Sequence, residues 1–300
     1  ILAFAGAGDH VILMDELYGG THAFVTDTFE RLKIDYTFAA TDPDAISAAI
    51  TDRTRVIVIE SPTNPLLGII DIGQVAKVAR TRGITTIIDN TFASPINQKP
   101  IELGIDIVVH SGTKYLGGHS DLCCGIAVTS QARTKAILHM ARHLGGSLNA
   151  IDGYLLERSL KTLALRVRQQ TANAGRLAEF LSASAGVKNV FYPGLPEAPG
   201  HAIARAQMTG FGAMLSFELD ASQANTDTFL RHLALIRPAV SLGGVETTIC
   251  APAVTSHAKM SPEERRRIGV TDALLRLSVG IEDAEDLIGD IVQALKQAAP

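Results

Sequence analysis

Short apolar runs alternate with amphipathic stretches through the first half of the chain. HVILM (His10 to Met14) reads as a short buried strand, and a Gly19-Gly20 turn leads into a helical stretch around Ala23 to Leu32. DYTFA (Asp35 to Ala39) is the next strand; RVIVIE (Arg55 to Glu60), apolar and β-branched, stops at the breaker cluster SPTNP. Ile72 to Arg82 carries helical spacing and is closed by Gly83, after which TTIID (Thr85 to Asp89) and DIVVH (Asp106 to His110) follow as strands. Apolar strands separated by helices imply a mostly parallel sheet covered on both faces. The class is therefore α/β, doubly wound.

The pattern changes from Arg133 to Leu181, where long helices with few breakers are expected and Leu155, Leu156, Leu160, Leu163 and Leu165 suggest helix packing. Gly186 and Pro193-Gly194 punctuate the chain, AMLSFEL (Ala213 to Leu219) and LLRLSVG (Leu274 to Gly280) look like strands, and Ser261-Pro262-Glu263-Glu264 has the form of a helix start. We expect a large domain over 1–157 and a smaller α+β domain over 158–300. No internal repeat or low-complexity segment is evident.

Composition narrows the classes. Hydrophobic residues at 46% and charged residues at 19% suit a soluble protein with a large core. A net charge of -4 gives no electrostatic reason to expect nucleic acid or an acidic membrane as partner. No apolar run approaches the roughly 20 residues that span a bilayer, and no secretory signal is visible. Cys123, Cys124 and Cys250 are too few for a disulfide framework and are expected as small buried hydrophobes in a reducing cytoplasm.

In open α/β sheets ligands bind beyond the carboxyl ends of the parallel strands. Three such ends carry polar chemistry: Ser61, Thr63 and Asn64; Asp89, Asn90 and Thr91; Ser111, Thr113 and Lys114. In SGTK (111–114), two hydroxyls can donate to one anionic group and Gly112 permits close backbone approach. A desolvated lysine next in line can become nucleophilic. Phosphate donors beside such a lysine are what covalent binding of pyridoxal 5′-phosphate (PLP) requires. Alone, the tetrapeptide reads as a solvated loop lysine, since short patterns recur by chance. Asp89 shifts that balance. A carboxylate ending an apolar strand needs a partner, and a protonated pyridine nitrogen is one; a helix cap or an arginine pair is the alternative.

Two further residues stand out. Tyr18, just after the first strand, can stack on a pyridine ring and shuttle protons, or be an ordinary turn tyrosine. Arg276, inside an apolar strand, calls for an anion: a substrate carboxylate or a structural ion pair. Other signals are poor. Gly6-Ala7-Gly8 lacks the third glycine of a dinucleotide fingerprint, no P-loop occurs, and His110, His119 and His257 do not form a metal-ligand spacing. The run Arg265-Arg266-Arg267 reads as a solvated helix face.

Taken together, VIVIESPTNP, TTIIDNTFASP, DIVVHSGTKYLGGHSD, SLGGVET and LLRLSVGIED resemble the trans-sulfuration (Cys/Met metabolism) family of PLP enzymes, nearest the cystathionine γ-lyase/γ-synthase group. The resemblance implies PLP fold type I, like aspartate aminotransferase, and a homotetramer built as a dimer of dimers. It assigns Lys114 to covalent cofactor binding and proton transfer, Asp89 to the pyridine nitrogen, Ser111 and Thr113 to the phosphate, and Tyr18 to ring stacking and proton transfer. Asn64 is expected near the cofactor oxygen and substrate carboxylate, and Arg276 on that carboxylate with Ser241 nearby. Family chains begin earlier, so an N-terminal arm and a phosphate turn are expected to precede this sequence. Val240 stands where several cystathionine enzymes have glutamate, and Gly20 where methionine γ-lyases usually have cysteine. The expected activity is γ-elimination or γ-replacement on sulfur amino acids or activated homoserine. An O-acyl-homoserine sulfhydrylase, a methionine γ-lyase, or an inert fragment with only an oligomerisation role are the alternatives.

Overall fold

In the computed structural model, which describes residues 1–255, Ala258 and 261–299, the chain builds two sheets in succession. The first half runs β1 (His10–Met14), α1 (Gly19–Leu32), β2 (Asp35–Ala39), α2 (Pro43–Ala48), β3 (Thr54–Glu60), α3 (Ile72–Thr81), β4 (Thr85–Asp89), α4 (Ser94–Asn97), β5 (Ile107–Ser111) and β6 (Gly125–Thr129). These strands form one sheet in the order β2-β1-β3-β4-β5-β6. The first five are parallel, and β6 closes the edge antiparallel to β5. Val11 to Met14, Val56, Ile57, Ile59 and Ile88 are buried, as continuous apolar strands in a covered parallel sheet must be.

Helix α3 shows how the local sequence produces an element. The Asp71 carboxylate accepts from Gln74 N–H at 2.9 Å and caps the start. Ile72, Val75, Ala76 and Ala79 recur on one face and are buried; fully burying an Ile or Val is worth about 1.5–3 kcal/mol. The chain leaves the helix through Gly83 at φ 66°, a left-handed conformation that glycine adopts without a Cβ clash.

Three long helices follow, α5 (Gln131–Leu144), α6 (Ala150–Leu160) and α7 (Leu163–Ser182). Of the leucines expected to pack there, Leu163 is buried and Leu156 packs partly on the core, whereas Leu160 and Leu165 are exposed. The remainder runs β7 (Val187–Phe191), α8 (His201–Gln207), β8 (Met214–Leu219), α9 (Thr226–His232), β9 (Arg237–Pro238), β10 (Thr248–Cys250), α10 (Pro262–Arg267), β11 (Leu274–Ser278) and α11 (Ala284–Ala298). Its sheet is ordered β7-β8-β11-β10-β9 and is antiparallel except for the β10–β9 pair. The core beneath it also takes in Leu67, Phe92, Tyr115 and Leu116 from the first half.

Several boundaries differ from expectation. Gly19 and Gly20 are not a turn before the helix but its first two residues, because the Tyr18 carbonyl accepts from both Thr21 and His22 N–H. Strand β5 starts one residue late: the Asp106 carboxylate accepts from Thr86 N–H at 2.9 Å and pairs with Arg133 at 2.7 Å, so Asp106 ties neighbouring segments instead of joining the strand. Cys250 is buried, but Cys124 is half-buried and Cys123 exposed, since both precede β6 in a loop rather than packing on a strand. His257 lies outside the described residues. Among the described residues, no helix is long and apolar enough to cross a membrane, and no cluster of three metal-ligating side chains occurs.

Candidate active site

Strands β1 to β5 run parallel, so their carboxyl ends share one edge of the sheet. Glu60 and Asp89 are register partners where β3 and β4 end. Asp89 Oδ1 accepts from Thr91 N–H at 2.9 Å and from Thr91 Oγ1 at 2.6 Å, and Thr91 Oγ1 accepts from Ser111 N–H at 2.8 Å. One continuous chain of hydrogen bonds therefore ties the end of β4 to the start of the lysine turn. Asp89 neither caps α4 nor pairs with an arginine; its Oδ2 is left without a protein partner among the described residues. Burial pushes its carboxyl up, and the two Thr91 bonds oppose that shift.

The segment Gly112–Leu116 forms a π-helical turn in which Lys114 itself has non-helical backbone angles. Gly112 is needed there: a Cβ would stand 2.3 Å from Cys124 Sγ. Burial, then the charge of Arg276, lowers the pKa of the Lys114 ammonium, and Cys123 acts in the opposite direction. An amine so placed is more often neutral and nucleophilic than a solvated lysine. Among the described residues the Ser111 hydroxyl has no protein hydrogen bond, whereas Thr113 Oγ1 accepts from Cys124 N–H at 3.1 Å and donates to the Cys124 carbonyl at 3.5 Å, a long bond that a stronger acceptor would replace.

The second sheet supplies the opposite wall. Arg276, only 4% exposed, lies within β11. It donates to Asn64 Oδ1 at 3.0 Å and to the Val240 carbonyl at 3.1 Å; its buried Nε has no partner. Among the described residues no carboxylate lies within ion-pair distance of it, so the structural ion pair expected as its alternative is not what holds it. Ser241 follows Val240; its carbonyl accepts from Thr248 Oγ1 at 3.1 Å and its hydroxyl is unbonded. Gly243, at φ 77°, brings this loop so close to the lysine turn that a Cβ would stand 2.7 Å from Tyr115 N and 3.0 Å from the Lys114 carbonyl carbon.

The nine strand-end residues singled out in the sequence divide into three groups. Ser61 accepts from Ile70 N–H and from Gln98 through its carbonyl, Thr63 bonds Glu16 and Gly68, and Asn90 bonds Ser94 and Gln98, so these three build the loops. Thr91 links Asp89 to Ser111. Asn64, Asp89, Ser111, Thr113 and Lys114 keep functional atoms available. Tyr18 stands apart: it is 58% exposed, starts α1, and its ring lies over Gly20, where a Cβ would meet Tyr18 Cε1 at 2.4 Å.

Glu60 was missed. It is buried, its Oε2 accepts from Tyr18 N–H at 2.9 Å, and burial followed by the Asp89 charge raises its pKa well above the usual carboxylate range. Its signal was the same as that of Asp89: an acid ending an apolar strand. His110, on β5, is likewise buried and neutral, its pKa depressed to about 4 by burial, with Nδ1 unpartnered.

These groups fit PLP. A carboxylate with one free oxygen suits a protonated ring nitrogen, two adjacent hydroxyls suit a phosphate, and a desolvated amine suits an aldehyde.

Comparison with known proteins points the same way. The sequence profile described as "Cys/Met metabolism PLP-dependent enzyme" matches residues 1–296. The chain is 45% identical over 298 residues to cystathionine gamma-lyase of Bacillus subtilis (strain 168), covering 99% of this chain and 78% of that protein. It is 44% identical over 299 residues to cystathionine beta-lyase of Lactococcus lactis subsp. cremoris (strain MG1363), with the same two coverages. Among solved structures, cystathionine gamma-lyase from Lactobacillus plantarum complexed with L-serine superposes with a TM-score of 0.94 at 42% identity, covering 98% of this chain and 77% of that one.

Proposed function

The chain belongs to the Cys/Met metabolism PLP-dependent enzyme family, and from that premise we propose that it catalyses γ-elimination or γ-replacement on a sulfur amino acid or an activated homoserine. It is a PLP-dependent enzyme of fold type I within the cystathionine lyase and synthase group. What remains a proposal is the bond that is broken and the residues that break it.

When bound, PLP supplies an electron sink for charge developing on the substrate's α-carbon. The protein's contribution is placement and proton handling. Lys114 Nζ would hold the cofactor covalently and would serve as the base for the substrate's α-proton; its depressed pKa favours the neutral amine. Asp89 Oδ2 would hold the ring nitrogen, Ser111 and Thr113 would hold the phosphate, and Asn64, which accepts from Arg276, would face the cofactor oxygen. The single observation that carries an amino-acid substrate is Arg276: a buried guanidinium, held by two neutral acceptors, with no carboxylate of its own. A bidentate substrate carboxylate is the partner it lacks. Ser241 flanks that position. Tyr18, which is exposed, would stack on the cofactor ring and assist proton transfer or leaving-group chemistry.

Val240 is 63% exposed beside Arg276 and offers no charge to a distal ammonium. We therefore expect a loose preference for cystathionine over simpler γ-substituted substrates, which keeps O-acyl-homoserine sulfhydrylase and methionine γ-lyase activities in view. We place the domain boundary at 157/158, the enzyme in the cytoplasm, and the assembly as a homotetramer. The exposed apolar side chains Leu144, Leu148, Ile151 and Tyr154 on and between α5 and α6 support association. Product analysis with L-cystathionine, L-homocysteine and an O-acylhomoserine tests the reaction. Release of 2-oxobutanoate and ammonia, or formation of replacement products, is expected. Pyruvate with homocysteine from cystathionine would mean β-cleavage, and a keto acid retaining the γ-substituent would mean transamination.

A further inference from the structure

Helix α7 carries three buried polar side chains, Arg166, Gln170 and Asn173, at i, i+4 and i+7. That spacing puts them on one helix face. Among the described residues none of the three bonds Arg276 or Asp89, and none pairs with a carboxylate. Each instead donates to main-chain carbonyls of segments that build the site. Arg166, 5% exposed, gives Nη1 to Tyr115 O at 2.8 Å, Nη2 to Leu116 O at 3.3 Å and to Ser159 O at 3.0 Å, and Nε to Thr162 Oγ1 at 3.1 Å. Gln170 Nε2 donates to Gly244 O at 2.7 Å and Val279 O at 3.1 Å. Asn173 Nδ2 donates to Gly280 O at 3.1 Å and Glu282 O at 2.8 Å.

The two ends of the stripe hold different things. Arg166 grips the turn just past Lys114, and Asn173 grips the chain just past the strand that bears Arg276. Gln170 bridges the loop lying between them to the same strand. Gly118 is built around this contact: at φ 71° it leaves the space that Arg166 fills, and a Cβ there would stand 2.0 Å from Arg166 Nη1. A buried charge with only neutral partners, three carbonyls and one hydroxyl, is a costly device for stability alone, and an apolar residue would fill the position as well. What a planar fork adds is orientation of several acceptors at once.

We propose that the Arg166–Gln170–Asn173 stripe is the positioning element of the site, with Arg166 setting the orientation of Lys114 and Asn173 setting that of Arg276. This rests on the roles given above to Lys114 and Arg276. The stripe divides the two catalytic parameters between its ends.

The test uses the PLP-loaded enzyme. Arg166→Met should lower kcat by roughly tenfold to 100-fold, the range that misplacement of about 1 Å produces, with KM for substrate nearly unchanged. Asn173→Ala should mainly raise KM. Gly118→Ala, which expels the guanidinium without removing it, should reproduce the kcat effect, and Arg166→Lys should rescue in part. Hydrogen exchange should quicken at amides 115–118 in Arg166→Met and stay unchanged at 87–91. If Arg166→Met does not fold, Arg166→Lys carries the same kcat and exchange readouts. Activity losses that track melting temperature alike in all variants, without a kcat and KM split, would overturn the proposal. Borohydride trapping and peptide mapping of the unaltered enzyme separates the two levels: an adduct away from Lys114 defeats the underlying reading, whereas an adduct on Lys114 with normal kcat in Arg166→Met defeats only this one.

Discussion

The two sheets meet at one site but handle buried polarity in opposite ways. In the parallel sheet, burial shifts ionisable side chains at the strand ends: it pushes the Glu60 carboxyl well up and depresses His110 to about 4, which leaves that imidazole neutral. In the antiparallel sheet the interior residue is Arg276, and a guanidinium keeps its charge wherever it is placed. It therefore needs acceptors, and finds Asn64 and the Val240 carbonyl. The parallel sheet offers its chemistry at free ends, where loops can leave atoms open. The antiparallel sheet offers it mid-strand, where Arg276 finds acceptors for Nη1 and Nη2 and keeps Nε open. At a strand end burial shifts a group's titration; within a strand Arg276 keeps its charge and draws acceptors from both halves of the chain, Asn64 and Val240.

Five experiments break or sharpen that contrast. The largest effect is expected at the lysine turn of the first sheet. Lys114→Ala should cost about 1,000-fold or more in turnover, the scale of a lost proton-transfer residue, and reduction with borohydride should trap the cofactor on Lys114 in the unaltered enzyme. An adduct on Lys77 or Lys99 would refute the assignment.

Removing the charge of the second sheet comes next. Arg276→Ala should cost about 2–5 kcal/mol, as truncation of a buried charge pair does, seen as a rise in substrate KM with the cofactor absorbance intact. Arg276→Lys should recover only part, because the fork is lost. An unchanged KM would move Arg276 to a structural role.

His110 tests the neutral side of the comparison. Its folded value of about 4 lies below the ordinary 6.5, so its stabilising contribution is present above pH 6.5 and is lost as pH falls towards 4. Over that window the loss is about 3 kcal/mol. Thermal melts against pH should show the fall, and His110→Gln should flatten it; parallel curves for the two proteins would reject this origin.

Asp89→Asn keeps the shape and removes the charge. A lost charge-assisted hydrogen bond is worth about 1.5–3 kcal/mol, so turnover should drop at least roughly tenfold while PLP is retained. Near-normal turnover would exclude the role. The smallest effect is expected for Ser111→Ala, at about 1 kcal/mol for one hydroxyl, or about fivefold weaker PLP binding by absorbance titration. No change in affinity would show that the hydroxyl does not reach the phosphate.

Much of this was legible in the residues themselves. A strand of Val and Ile closing on an acid, or on Ser-Gly-Thr-Lys, declares both its burial and the place where burial stops, and β1, β2 and β4 follow their apolar runs residue for residue. Parallel strands then send every such ending to the same edge, so the link from Asp89 through Thr91 to Ser111, at the start of the lysine turn, follows from topology that periodicity predicts. The limits are equally local. Gly19 and Gly20 carry a turn signal, yet they begin a helix, because helix propensity is a weak prior against the hydrogen bonds Tyr18 supplies. Cys123 and Cys124 read as packing residues and lie in a loop.

The chemistry of the site was thus determined by sequence: which acid, which lysine and which arginine must find partners, since desolvation acts on residue type and on the apolar context beside it. Which partner each one finds was decided only by tertiary structure. Ser61, Thr63 and Asn64 look alike in the chain, but contacts with Ile70, Glu16 and Gly68 commit the first two to the loop and leave the third to Arg276, 212 positions away. Arg166 appears in the sequence as one more helix arginine; only folding brings Tyr115 and Leu116 to it, across 51 and 50 positions. Hydrogen bonds are short and directional, so no pattern along the chain can say which of many polar groups will face one another once the two sheets close.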